Sequence, residues 1–96
     1  MATNLLFAEE AFIGDLDTNG ITIGDRSNGA VGWKLSEESI KSRTLSGNSP
    51  KYMLDKNGNT ILQKNDKTKV FLGNLDESDT GKSGYGLYAE NAYLTG

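Results

Sequence analysis

The 96-residue chain has no cysteine and no histidine, a single proline, and few large apolar side chains. Without cysteine no disulfide can staple a small fold, and the redox compartment leaves no trace. Without histidine the commonest transition-metal ligand and the commonest general base are both missing. Serine, threonine and lysine are abundant, but the usual nucleophile–base pairs have no base, and the expectation is a protein that is not an enzyme and holds no cofactor. Ten basic residues are mixed with thirteen acidic ones for a net charge of −3. With no basic stripe to neutralise phosphates, a nucleic-acid partner is not expected. No apolar run approaches the roughly 20 residues of a membrane-spanning helix, so no membrane insertion is expected. Met1-Ala2-Thr3-Asn4 lacks the basic region of a signal peptide, so release by a route such as cell lysis is expected. At 35% hydrophobic residues the core is lean for one small domain. Small domains lacking such staples often rely on self-association, and that is the staple left over.

What the chain does have is β-like. Ile21-Thr22-Ile23 and Val70-Phe71-Leu72 are short apolar runs with β-branched leads, each followed by Gly and then Asp or Asn. A glycine there is expected to take a positive φ and turn the chain. Asn19-Gly20, Asn28-Gly29, Gly47-Asn48-Ser49-Pro50 and Asn57-Gly58 punctuate the sequence at intervals that argue all-β. Tyr52 to Gln63 reads as a hairpin about Asn57-Gly58, with both residues at φ > 0 in a type I′ turn. Either Thr60 and Leu62 or Ile61 would lie across from Tyr52 and Leu54, and the register stays open. Ser36-Glu37-Glu38-Ser39 has a helix N-cap pattern but is too short for a stable helix. It reads as a turn or single helical turn joining strands Trp33–Leu35 and Ile40–Leu45. Asp76 to Gly84 reads as a polar loop.

The chain also echoes itself. Leu6-Phe7-Ala8-Glu9-Glu10-Ala11-Phe12-Ile13 aligns without a gap to Leu87-Tyr88-Ala89-Glu90-Asn91-Ala92-Tyr93-Leu94, 81 positions later. Leu, Ala, Glu and Ala are identical, and aromatic replaces aromatic twice. Both copies are expected to be strands. Self-similarity at a fixed spacing is the mark of an array. The expected organisation is an extension over 1–5, a joint over 6–16, a β-rich module over 17–86 and a second joint over 87–96.

Three patterns suggest chemistry. Asp15, Asp17 and Asn19 before Gly20 match the first half of a calcium loop, but Arg26 stands where its bidentate Glu belongs, so a polar turn is the plainer reading. Glu9/Glu10 and Glu37/Glu38 are adjacent pairs, which on a strand face opposite ways and read as solvated charge. Trp33, Tyr52, Tyr85, Tyr88 and Tyr93 could stack on sugar rings or pack between protomers, and packing is preferred because other large apolar residues are scarce.

Gly84-Tyr85-Gly86-Leu87-Tyr88-Ala89-Glu90-Asn91-Ala92-Tyr93-Leu94-Thr95-Gly96 resembles a phrase of phage and prophage tail fibres and tail-tip proteins that leads from one β-rich module to the next. Ala30 to Leu35 is similar to their A-G-W-x-I strand, and Tyr52 to Asn59 to their hairpin. The chain departs from that pattern at Ser36 to Ser39, where a plain glycine turn is usual. The resemblance implies an all-β, intertwined homotrimeric fibre of the β-prism or triple β-helix kind. It also implies a place in the virion tail, as a shaft or connector that presents the host-binding end. Its partners would be its own copies, other tail proteins, and a host-surface polysaccharide or protein. A small carbohydrate- or receptor-binding module of the same apparatus is the rival expectation.

Overall fold

The computed structural model describes residues 14–45 and 48–96. Over these the fold is all-β, as expected, with seven antiparallel strands laid side by side in chain order. They are β1 (Gly20–Ile23), β2 (Trp33–Ser36), β3 (Ser39–Ser42), β4 (Tyr52–Asp55), β5 (Thr60–Lys64), β6 (Lys67–Asn74) and β7 (Tyr85–Ala89). One 3-10 turn, Leu75–Glu77, follows β6. The first echo copy, Leu6–Ile13, lies outside the described residues. The second is strand only through Ala89, where β7 ends, and the expected strand over Asn91–Leu94 has no regular structure. β7 begins at Tyr85 and crosses the expected boundary between 86 and 87.

The connections follow from short-range hydrogen bonds. The Ser36 hydroxyl accepts from the Glu38 and Ser39 backbone N–H groups. It therefore makes the contacts of a helix N-cap, but the chain turns straight into β3, which ends at Ser42 rather than Leu45. At the Tyr52–Gln63 hairpin, Tyr52 faces Leu62 and Leu54 faces Thr60. The turn is not type I′. Gly58 alone has positive φ, the Gly58 N–H donates to the Asp55 carbonyl and the Asp55 N–H to the Asn59 carbonyl. This is a three-residue loop ending on a left-handed glycine. It wins because the Asp55 side chain accepts from the Asn57 and Asn59 N–H groups and fixes the longer loop.

Gly73 also departs from expectation. Its φ is +148°, yet the chain does not turn there and β6 runs on to Asn74. The reason is close approach. A Cβ on Gly73 would lie 2.1 Å from Asn59 Oδ1. Asn59 is 1% exposed and sits across β6, its Oδ1 accepting from the Asn74 N–H and its Nδ2 donating to Asp55 and Glu77. The matching glycine, Gly24, repeats the arrangement at φ +149° under the Arg43 guanidinium. Asp25 and Asn74, which follow these glycines, each accept from the N–H two residues on. The shared β-branched–x–aliphatic–Gly–Asx phrase thus encodes one local device used twice: a bare backbone crossed by a polar side chain, then an Asx turn.

The sheet has two unequal faces. On one, a cross-strand row runs Thr22, Lys34, Lys41, Met53, Ile61, Phe71, Tyr88. Its C-terminal half is the core: Ile61, Phe71 and Leu75 are buried, with Met53 and Tyr88 packed against them. Leu75 comes from the 3-10 turn, which folds over this face and lies against Gly86. Only three apolar side chains are buried among the described residues. The radius of gyration, 17.3 Å, exceeds the roughly 13 Å of a compact domain of this size, as a single uncovered layer requires.

Phe71 is the largest buried side chain, at 1% exposure. Phe71→Ala is expected to cost about 3–5 kcal/mol in urea unfolding, the usual price of emptying an aromatic core site. Burial raises the Asp55 carboxyl pKa, but the hydrogen bonds from Asn59, Asn57 and Gly58 outweigh it and leave the group below its ordinary 3.8. A depressed carboxyl stabilises the fold above the unfolded value, and that stability is lost as pH falls through the folded one. An acid titration followed by circular dichroism should show this loss below about pH 4, and a shallower one in Asp55→Asn.

Candidate functional site: an uncovered apolar face

The opposite face has no covering layer among the described residues. One row across it reads Ile21, Leu35, Ile40, Leu54, Thr60, Leu72, Leu87, one residue from each strand. A second row carries Ile23, Trp33 and Ser42, then Tyr52, Leu62, Val70 and Ala89. No charged residue occurs in either row. Side chains alternate across a strand, so this apolar set is fixed to one face by register alone. Ile23, Trp33, Ile40, Leu62, Leu72 and Leu87 are each between 42% and 64% exposed. Six interstrand spacings of about 4.8 Å carry the surface across roughly 29 Å. Scattered apolar residues need no explanation, whereas a contiguous face of this breadth is a candidate interaction surface.

The five aromatic candidates do not form one surface. Trp33 and Tyr52 meet edge to face, with ring centroids 5.8 Å apart and planes at 78°. They reach each other across β3, whose intervening residue on that face is the small Ser42. The Ser42 hydroxyl also accepts from the Lys51 and Tyr52 N–H groups, which pins β4 beside it. Tyr85 belongs to the same face but stands on β7, at the far side of the sheet, 78% exposed. Tyr88 lies on the other face in the core cluster. Tyr93 follows the last strand and is 90% exposed. Phe7 and Phe12, the counterparts of Tyr88 and Tyr93 in the echo, lie outside the described residues.

Asp15, Asp17 and Asn19 are exposed and precede β1. Among the described residues no three Asp, Glu, His or Cys side chains cluster as a metal would need. Glu37 and Glu38 sit in the β2–β3 turn, where Glu38 pairs with Lys56 at 2.9 Å on the surface. Among the described residues no helix is long and apolar enough to cross a membrane. A recess of about 500 Å³ opens where β3 meets β4, between Arg43, Lys51, Lys64 and Asp66. Arg43 is held there by the Asp25 and Val31 carbonyls, and hydrogen bonding by the Ser49 side chain and then by its N–H keeps the Asp66 carboxyl below the usual range.

Comparison with protein-family models, with curated proteins and with solved structures finds no match. The uncovered face therefore stands on geometry alone. The sequence marked its parts as strands but gave no reason to single out Leu35, Ile40, Leu62, Leu72 and Leu87. The signal was present as period-two alternation, too short in each four-residue strand to stand out until the register aligns all seven.

Trp33, the one tryptophan of the chain, reports on this face. Its fluorescence is expected to shift to shorter wavelength and lose acrylamide access as protein concentration rises. A spectrum typical of exposed indole at every concentration would mean that the face stays wet.

Proposed function

We propose that the chain is a structural segment of a phage-type tail fibre or tail-tip protein, a homotrimeric β-prism whose three apolar faces meet on a common axis. It serves as a shaft or connector that holds the host-binding end away from the virion, and it has no catalytic role. The observation that carries this reading is an apolar face spanning all seven strands with nothing opposite it among the described residues.

Strand length favours three copies. β1 to β4 have four residues each and β5 and β7 have five. At about 3.4 Å per residue these six strands are roughly 14–17 Å long, and the eight-residue β6 extends beyond them. An equilateral prism with sides of that length has its walls about 4–5 Å from the axis. Packed sheets stand about 10 Å apart, so each contributes about 5 Å of side chain. Three walls are therefore filled by one layer from each, whereas four would sit about 7–8 Å out and leave the axis empty. The low apolar content fits as well, since one layer of Leu, Ile and Val is shared among three walls. The fibre phrase at Gly84–Gly96, and the echo between Leu6 and Leu87, support placing such a module in a longer array, where neighbouring units cover one another.

The rival reading, a glycan-binding module, has Trp33 and Tyr52 in its favour as an edge-to-face pair. Both lie on the apolar face, where a trimer would bury them.

Light scattering after gel filtration tests the proposal with Leu72→Lys and Leu62→Lys. Each places a charge on the axis in every copy and removes a leucine worth about 1.5–3 kcal/mol when fully buried. The wild type is expected to elute as an assembly and both variants as single chains with the β-type dichroism kept. Variants that associate as the wild type does would refute it.

A further inference from the structure

The meander sends alternate connections to opposite ends of the strands, and this sorts the charges. One end carries the segment before β1 and the β2–β3, β4–β5 and β6–β7 connections. Asp15 and Asp17 precede β1, Glu37 and Glu38 lie between β2 and β3, and Asp55 closes β4. Asp76, Glu77 and Asp79 follow β6, so this end has eight carboxylates against two lysines, Lys56 and Lys82. The other end holds Arg26 between β1 and β2, then Arg43 and Lys51 between β3 and β4. Lys64, Lys67 and Lys69 flank the β5–β6 turn there, against the three acids Asp25, Asp66 and Glu90. Of these, Glu90 is taken up by Lys69 at 2.9 Å. A chain with nearly balanced charge thus presents an acidic row along one long border of its sheet and a basic row along the other.

We infer that these two rows are complementary halves of one joint, the acidic strand-end row of each copy docking on the basic strand-end row of a second copy. The inference rests on the trimeric reading, and it supplies what that reading leaves open, namely how neighbouring walls meet. The shared axis buries the apolar faces but does not fix which borders adjoin. In a closed ring of identical copies each contact joins two different patches, head to tail. Walls placed around a three-fold axis bring the border at one strand end of each copy to the opposite border of the next. The charge rows lie along those borders. Opposed rows steer encounter and reject the reversed arrangement, in which acid would face acid.

Charge reversal in the full chain tests this, with mass read by sedimentation. Glu37→Lys with Glu38→Lys makes the acidic row basic; Lys51→Glu with Lys64→Glu makes the basic row acidic. All four positions are exposed or half-buried on loops and strand ends, and circular dichroism of each variant checks the fold. Each pair alone is expected to weaken assembly at least tenfold at low salt, with part of the loss relieved at high salt by screening. The four changes in one chain restore opposite rows and are expected to restore assembly. Assembly untouched by either pair, or no recovery in the fourfold variant while its fold is intact, would overturn the joint and leave the trimer standing. A wild-type protein that is a single chain throughout would overturn both.

Discussion

Everything in this molecule depends on one constraint: a single β-sheet has two faces, and the described residues cover half of one. The 3-10 turn at Leu75 closes over Ile61 and Phe71 and gives the C-terminal strands a small core. No such cover exists over Ile21, Leu35, Ile40, Leu62, Leu72 and Leu87 among the described residues. Apolar surface left in water contributes nothing to folding, while each large side chain that is covered contributes about 1.5–3 kcal/mol. A small chain with three buried apolar residues among those described and no disulfide has few other sources of stability. Self-association would cover this face, and the proposed role as a fibre segment rests on the same need.

The core and the polar network are built as one unit. Asn59 is buried because Gly73 has no side chain to exclude it, and its amide then ties β4, β6 and the 3-10 turn together through Asp55, Asn74 and Glu77. That network holds the 3-10 turn over the sheet, so Leu75 reaches Phe71. At the N-terminal end the same device appears with Arg43 over Gly24, but without an apolar lid. There the face carries Thr22, Lys34 and Lys41 instead of Ile61 and Phe71, and it remains solvated. The two halves of the sheet share a local grammar and differ in what they bury.

Much of the local structure was legible in the residues. Asn57-Gly58 located the central hairpin, Ile21–Ile23 and Val70–Leu72 located strands, and Ser36 located a turn. The misreadings share a cause. Gly73 looks like a turn in sequence, which shows a glycine but not the Asn59 side chain that needs the space. Asn57-Gly58 suggests type I′ because the Asp55 carboxylate that selects the longer loop lies two residues outside the dipeptide. The open face was invisible for a different reason. Alternation over four residues carries little information, and only the pairing of seven strands shows that the apolar positions coincide. The strand-end charge rows depend on the same alternation of connections, and along the sequence those charges look mixed.

The central claim is that three copies share one apolar axis. Sedimentation equilibrium of the full chain over a wide concentration range tests it most directly. The expected species has three times the 10.4 kDa chain mass and dissociates only on dilution or denaturation. A stable, folded species of one chain mass at all concentrations would contradict it.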